Sequence, residues 1–439
     1  MRRLIIGACL LLPLMASAQQ VRVWSLKDCM DYAIDNNISV KQSKISVELA
    51  EVDLNTDQWS RMPDLSGSAS ENFSFGRGLT ADNTYANANT TSTSFSLGGS
   101  IPVFQGFRIN RAIAQDKLNI TSLTAKLDKA KDDIRVSVAQ AYIEILYDKE
   151  ILQVAASQVV IDSLQVERLE TKALNGSASR AELSAQRATL AESRVSLAQA
   201  EGNLSLALLE LTQLLELPSP EGFDIVSPSV ETLGRRLLMS PEGIYAEAVG
   251  IKPVVKAGEA DVQYAKAGVA SAKSGWWPSI SLSGGIGTNM YTNSRTASAS
   301  FGDQMKNNFS QFVGLSLSVP IFDRFQTRNS VRQARLRLQN SEYELESAKK
   351  GLYKEIQQAY YNALAADSKY ESCTLAAESA AESFDLVLNK YEAGKASITE
   401  YNEAKNKMLS AESNLVKARY EYLFQSRLLD FYRGDELIF

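Results

Sequence analysis

Ile101-Pro-Val-Phe104 opens a long run rich in alanine and charge, and Val319-Pro-Ile-Phe322 opens a second such run 218 positions later. The two runs then keep step without a gap. Gln140-Ala-Tyr142 meets Gln358-Ala-Tyr360, and Asn175-Gly176 meets Ala393-Gly394. Self-similarity at one constant offset marks a fold built from two equivalent units.

Around each motif the sequence alternates. Phe95, Leu97, Gly99, Ile101 and Val103 interleave with Ser94, Ser96, Gly98, Ser100 and Pro102, and Val313, Leu315, Leu317, Val319 and Ile321 interleave with Gly314, Ser316, Ser318, Pro320 and Phe322. Period two with one apolar and one small or polar face predicts strands. Their partners are expected at 65–75 and 280–290, after Pro63 and Pro278 and across polar loops, so that hairpins occupy 64–104 and 279–322. Such strands have about the 9–11 residues that cross a bilayer. Trp59, Trp276 and Trp277 where helix becomes strand, and Phe104, Phe107, Phe322 and Phe325 where the returning strands end, resemble an interfacial aromatic girdle. Outside the leader, no segment approaches the roughly 18 consecutive apolar residues of a transmembrane helix, so a membrane passage would use strands. Four strands cannot close a barrel, since ordinary small barrels use about eight; the chain must pool its hairpins with other copies to remove the edges.

Residues 108–172 contain neither proline nor glycine, which predicts about 100 Å of helix at 1.5 Å per residue. Ile134, Val138, Ala141 and Ile145, matched by Leu352, Ile356, Ala359 and Ala363, recur at spacings of three and four and form a coiled-coil seam. Return helices carry Leu183, Leu190, Leu197, Leu204 and Leu211 in one copy and Tyr401, Met408, Leu415 and Tyr422 in the other. Segments 181–217 with 241–275, and 24–61 with 398–432, are each expected to stack end to end and equal one long helix. Between them lies a connector, 218–240, with three of the ten prolines.

The N-terminus reads as a cleavable signal peptide over 1–18: Arg2 and Arg3, an apolar run from Leu4 to Met15, then Ala16-Ser17-Ala18 ahead of Gln19. Ile6-Gly7-Ala8-Cys9 resembles a lipidation box, but cleavage there would split the apolar run, so the exported chain is not expected to be lipidated. The chain contains no histidine, the commonest general base and metal ligand. Cys29 and Cys373 read as packing residues, and no metal site, cofactor or enzymatic activity is expected. A net charge of -5 and the lack of a basic region before the heptads argue against nucleic acid. An exported coiled-coil scaffold would share these heptads but would have no need of amphipathic hairpins.

In order and duplication, Trp24 to Ile38, the joints at Pro63 and Pro278, the two strand-end motifs and the turns at Asn175-Gly176 and Ala393-Gly394 resemble the TolC family of outer-membrane efflux and secretion channels. The resemblance covers the whole mature chain. It implies a mainly α fold with a membrane β-barrel portion: a homotrimer whose twelve strands form one barrel in outer-membrane lipid, continued into the periplasm by an α-helical coiled-coil barrel. The domains would be a first repeat, 19–217, the connector, a second repeat, 241–433, and a tail, 434–439. Function would be passive conduction of substrates delivered by an inner-membrane pump, of RND or ABC type, through a periplasmic membrane-fusion adaptor.

Glycines 176 and 394 suit left-handed helix caps, and Ser179 and Ser397 suit N-caps of the following helices. The resemblance makes these tip turns, 174–180 and 392–398, the adaptor-docking surface, with Asn175, Gly176, Ser177, Arg180, Gly394, Lys395 and Ser397 as its residues. It places Glu400 and Glu403 at the acidic ring of the closed aperture, and Tyr391 and Glu182 at positions that tie the helix pairs together. Ala396 stands where some members carry a gating arginine, so that salt bridge is absent.

Overall fold

The computed structural model describes residues 22–79, 84–87, 89–227, 239–294 and 298–437. The leader, with Cys9 and the expected cleavage site, lies outside the described residues, as does 228–238 of the connector. In chain order the elements are β1 (Arg22–Trp24), α1 (Leu26–Asn36), α2 (Ile38–Trp59), β2 (Asp64–Ser74), β3 (Arg77–Leu79), β4 (Tyr85–Asn87), β5 (Thr90–Gln105), α3 (Arg108–Leu174) and α4 (Arg180–Leu214). There follow β6 (Phe223–Ile225), α5 (Pro241–Ile251), α6 (Pro253–Ala272), β7 (Ser279–Asn293), α7 (Phe301–Asn307), β8 (Ser310–Ser318), α8 (Gln326–Glu392) and α9 (Ile398–Arg433). The chain divides into two compact units, one of 1–41, 130–248 and 353–439, the other of 42–129 and 249–352.

The second unit carries an antiparallel sheet of order β2-β5-β7-β8. Its register puts Leu97 beside Ile286, Ile101 beside Leu282 and Leu282 beside Leu315, so Leu65, Leu97, Leu282 and Leu315, one from each strand, share one face. That face is bare: Leu65 is 75% exposed and Val313 83%. The other face is mostly serine and glycine, with Phe312 opposite Gly285 and Tyr291 opposite Ser92, and there the hydroxyls of Ser68 and Ser96, and of Ser70 and Ser94, pair at 2.7 Å.

The last strand is shorter than its alternation predicts. β8 stops at Ser318, and Val319, Pro320 and Ile321 lie outside the ladder. The cause is pairing. Among the described residues β8 has a neighbour only in β7, whose first residue, Ser279, is already opposite Ser318. β5 is flanked by β2 only up to Ser100 and continues along β7 alone, through a bulge between Pro102 and Phe104, until Gln105 stands opposite the same Ser279.

Two expected continuous helices are also broken. Lys252 turns extended (φ -67, ψ 131) because it precedes Pro253, separating α5 from α6. Asn37 does the same between α1 and α2 without a proline (φ -60, ψ 134). Its carboxamide holds the corner, donating to the Leu214 carbonyl at 3.2 Å and accepting from the Ser39 amide at 2.9 Å.

In the first unit β1 and β6 pair in parallel. The Tyr142 hydroxyl donates to the Val226 carbonyl at 2.6 Å, and Lys149 Nζ lies 2.5 Å from Asp224 Oδ1. The core beneath them contains Cys29, Ala33, Val138, Ile145, Leu211 and Ile225. Burial, with nearby Asp28, pushes the Cys29 thiol up to about 12, which suits a packing residue and not a nucleophile.

The repeats differ where β5 and β8 lead into helices. Gly106 and Phe107 take positive φ (58 and 64), and so do Arg324 and Phe325 (55 and 63). A Cβ on Gly106 would lie 2.5 Å from Trp277 Cβ and 2.8 Å from the Ser274 carbonyl oxygen, whereas Arg324 is exposed. Arg324→Gly should relieve about 1 kcal/mol of left-handed strain, offset by glycine entropy in the unfolded chain. Gly106→Val should destabilise the joint by more than that. Thermal denaturation of the two variants should therefore shift in opposite directions or, for Arg324→Gly, stay close to wild type.

Candidate functional site

The α3–α4 and α8–α9 turns are built alike. Gly176 has φ 70 and Gly394 has φ 71. The Ser177 amide reaches back to the Lys172 carbonyl at 2.7 Å and the Gly176 amide to Ala173 at 3.1 Å. In the second copy Lys395 donates to Lys390 at 2.8 Å and Gly394 to Tyr391 at 3.0 Å. This double hydrogen bond closes a helix C-terminus and needs one left-handed residue, which glycine adopts without steric cost. A side chain at either glycine would enter open space, so only the backbone dictates the residue.

Each following helix starts with a capping box. The Glu182 amide donates to Ser179 Oγ at 3.1 Å while the Ser179 amide donates to Glu182 Oε2 at 2.9 Å. Ser397 and Glu400 repeat the pattern at 3.2 and 2.7 Å. The two glutamates therefore occupy equivalent places and share a structural role. Hydrogen bonds from the Ser397 amide and hydroxyl, with Lys390 nearby, hold the Glu400 carboxyl below the usual carboxylate range.

Asn175, Gly176, Ser177, Arg180, Gly394, Lys395 and Ser397 are all exposed, and Leu174 beside them is 88% exposed. Glu400 and Glu403 lie exposed on the first turns of α9, but the Glu400 side chain folds back onto its cap. Tyr391 is half-buried and stacks on Tyr401 with ring centroids 5.0 Å apart; Lys172 Nζ lies 6.0 Å above the Tyr391 ring. Leu169, Ile398 and Tyr401 form a small core between the turns, with Leu183, Phe384 and Leu388 against it. Ala396 offers no cation.

Sequence reasoning missed the polar centre behind this core. Gln186, Ser193, Ala200 and Ala207 recur every seven residues along α4 and are buried, whereas of the leucine heptad Leu183, Leu190, Leu197 and Leu204 are half-buried and only Leu211 is buried. Gln186 and Ser193 converge on Asp162 of α3, as does Lys405 of α9. A signal was present: Asp162 precedes the buried Val166 and Leu169 by four and seven residues, and Lys405 follows the buried Tyr401 and Ile398 by four and seven. Each is a charge set into an apolar stripe.

A sequence profile of the outer membrane efflux protein family matches residues 30–216 and 244–434. The chain is 24% identical to outer membrane protein TolC of Escherichia coli K12 over 357 residues, 79% of this chain and 71% of that protein. It is 20% identical to outer membrane efflux protein BepC of Brucella suis over 434 residues, 98% of this chain and 89% of that one. Among solved structures, CusC, described in terms of folding and transmembrane channel formation, superposes with a TM-score of 0.76 at 20% identity, covering 94% of this chain and 92% of that one.

If the turns are held as described, Ser179→Ala and Ser397→Ala should each cost about 1 kcal/mol locally, read as faster amide hydrogen exchange confined to the first turn of α4 or α9. Gly176→Ala and Gly394→Ala should cost a similar amount through backbone strain alone, with no change at β2, β5, β7 or β8.

Proposed function

This chain belongs to the outer membrane efflux protein family and is an outer-membrane channel of efflux or secretion systems; from that premise we propose a homotrimeric exit duct. Three copies contribute twelve strands to one barrel in outer-membrane lipid, and the paired long helices of the two repeats continue it as a coiled-coil barrel in the periplasm. The observation that carries this reading is the sheet. β2 and β8 each pair on one side only, and the apolar face they flank is exposed. In hydrocarbon an unpaired strand edge is too costly to persist, so β8 of one copy pairs with β2 of the next until the ring closes.

The remaining assignments rest on the family. A periplasmic membrane-fusion adaptor docks on the exposed turns around Gly176 and Gly394, and an inner-membrane pump of RND or ABC type supplies the energy. Export follows cleavage of the signal peptide, without lipidation. The α9 start lies at the aperture, where three copies of Glu400 and Glu403 provide six carboxylates. Glu182 and Tyr391 stand close to the same constriction. Conduction is passive, and this chain does no bond chemistry.

Purified protein should be trimeric by light scattering in detergent, and a stable monomer would contradict the pooled barrel. In planar bilayers under a salt gradient, the wild-type pore should be cation-selective, because charge concentrated at a constriction enriches counter-ions. The Glu400→Ala, Glu403→Ala double variant should lose much of that selectivity; an unchanged reversal potential rules out the carboxylate ring.

A further inference from the structure

Beside the sheet, the helices of the second unit form a row. Arg61, just past α2, donates to Asn110 Oδ1 of α3 at 2.7 Å; Arg111 of α3 donates to the Ala270 carbonyl of α6 at 2.6 Å; and Lys349 Nζ of α8 lies 3.6 Å from Glu259 Oε1 of α6. α2 and α8 are therefore the outer helices, as β2 and β8 are the outer strands.

Charge on these two helices is segregated by sign. Residues 45–60 hold Glu48, Glu51, Asp53 and Asp57 and neither lysine nor arginine, while residues 324–341 hold Arg324, Arg328, Arg332, Arg335 and Arg337 and neither aspartate nor glutamate. In the helices between them the signs are mixed: Arg108, Arg111, Asp116 and Lys117 at the start of α3, Asp261, Lys266 and Lys273 along and just past α6. Glu48, Glu51, Asp53 and the five arginines are exposed, and none has an ion-pair partner among the described residues. Burial, with Asp57 and Asp53 beside it, pushes the Asp116 carboxyl up to about 6, which marks the acidic side as short of counter-charge. Like charges one turn apart, Asp53 with Asp57 and Arg328 with Arg332, also destabilise a helix standing alone.

Each outer helix has a bare apolar stripe as well. On α2 Ile45, Leu49, Val52 and Trp59 follow one another at four, three and seven residues, and on α8 Leu336 and Tyr343 stand seven apart; all are more than half exposed. Ala50 and Val331 are buried inside the copy, and at about 100° per residue both stripes fall on other sides of their helices. Heptad spacing flanked by charge is how one helix receives another, with the flanking charges choosing the partner.

We propose that α8 of one copy packs along α2 of the next through these stripes, with Arg332, Arg335 and Arg337 meeting Glu48, Glu51 and Asp53 across the seam, so that charge selects which copies assemble. This deepens the homotrimer reading and rests on it. α2 leads into β2 and α8 follows β8, so a ring closed by β8 against the next β2 brings the start of α8 beside the end of the next α2. One helix runs toward the sheet and the other away from it, as an antiparallel pair. The acidic stretch reaches the end of α2 and the basic stretch begins at the start of α8, so the two stand at about the same distance from the sheet. An anionic lipid headgroup would answer to the arginines but leaves the acids and both stripes without a use; a second copy engages all of them.

The test is assembly of the full chain in detergent at low salt, where exposed charges are least screened. Glu48→Lys, Glu51→Lys and Asp53→Lys together, or Arg332→Glu, Arg335→Glu and Arg337→Glu together, should each cut the yield of trimer several-fold. Combining all six should restore it, and six-fold variant chains co-expressed with differently tagged wild type should not co-purify with it. Wild-type yield in either triple variant overturns the seam, and so does a six-fold variant that assembles no better than its halves. Loss on the basic side alone assigns the arginines to an anionic lipid surface and overturns it too. Should the charge variants fail to fold, p-benzoylphenylalanine in place of Val52 takes over: an adduct that maps to 325–343 of a second copy supports the seam, and the lack of any such adduct in a trimeric protein overturns it. A wild type that is monomeric by light scattering defeats the homotrimer reading, and the seam with it, before any variant is made.

Discussion

A backbone amide or carbonyl in hydrocarbon has no water to turn to, and this requirement governs what the chain can be. Its sheet has two outer strands, β2 and β8, each with a bare side. The apolar face beside them is exposed, and the opposite face is mostly serine and glycine. Such a sheet fits neither water nor lipid as a lone object. In the homotrimer proposed here, closure with further copies would satisfy the edges, turn the apolar face to lipid and leave the other face around an aqueous lumen.

The same requirement explains the unequal strands. β5 and β8 both end opposite Ser279, the first residue of β7, and β5 reaches it at Gln105 and β8 already at Ser318 because the two strands run along β7 in different registers. The stretch Val319-Pro-Ile-Phe322 copies Ile101-Pro-Val-Phe104 in sequence but has no ladder to join within the chain. Local propensity is nearly identical in the two copies; the available neighbour decides the conformation.

Duplication also shows where the two copies were put to different uses. Both turns have the same left-handed glycine, the same reciprocal amide bonds and the same capping box. Behind them the copies diverge: alanine fills at 380, 404 and 411 what Asp162, Gln186 and Ser193 fill with hydrogen bonds. Symmetry therefore builds the hairpins, and a polar substitution in one of them sets how it meets α9.

Much of this was legible along the chain, because it depends on contacts between near neighbours. Period-two alternation, the uninterrupted 108–172 and the Asn-Gly and Ala-Gly turns each encode their own backbone, and repetition at one offset tells that two units are alike. The caps at Ser179 and Ser397 were readable for the same reason, since their partners lie three residues on. Other features depended on residues far apart in sequence. Asn37 breaks a helix because the Leu214 carbonyl is within reach; Leu183, Leu190, Leu197 and Leu204 are less buried than Gln186 and Ser193 because helix rotation follows the neighbours it packs against. The Glu400 carboxylate is held by its cap instead of standing free. Asp162 and Lys405 are 243 residues apart, and a charge in an apolar stripe has no readable meaning until the fold brings its counter-charge to it.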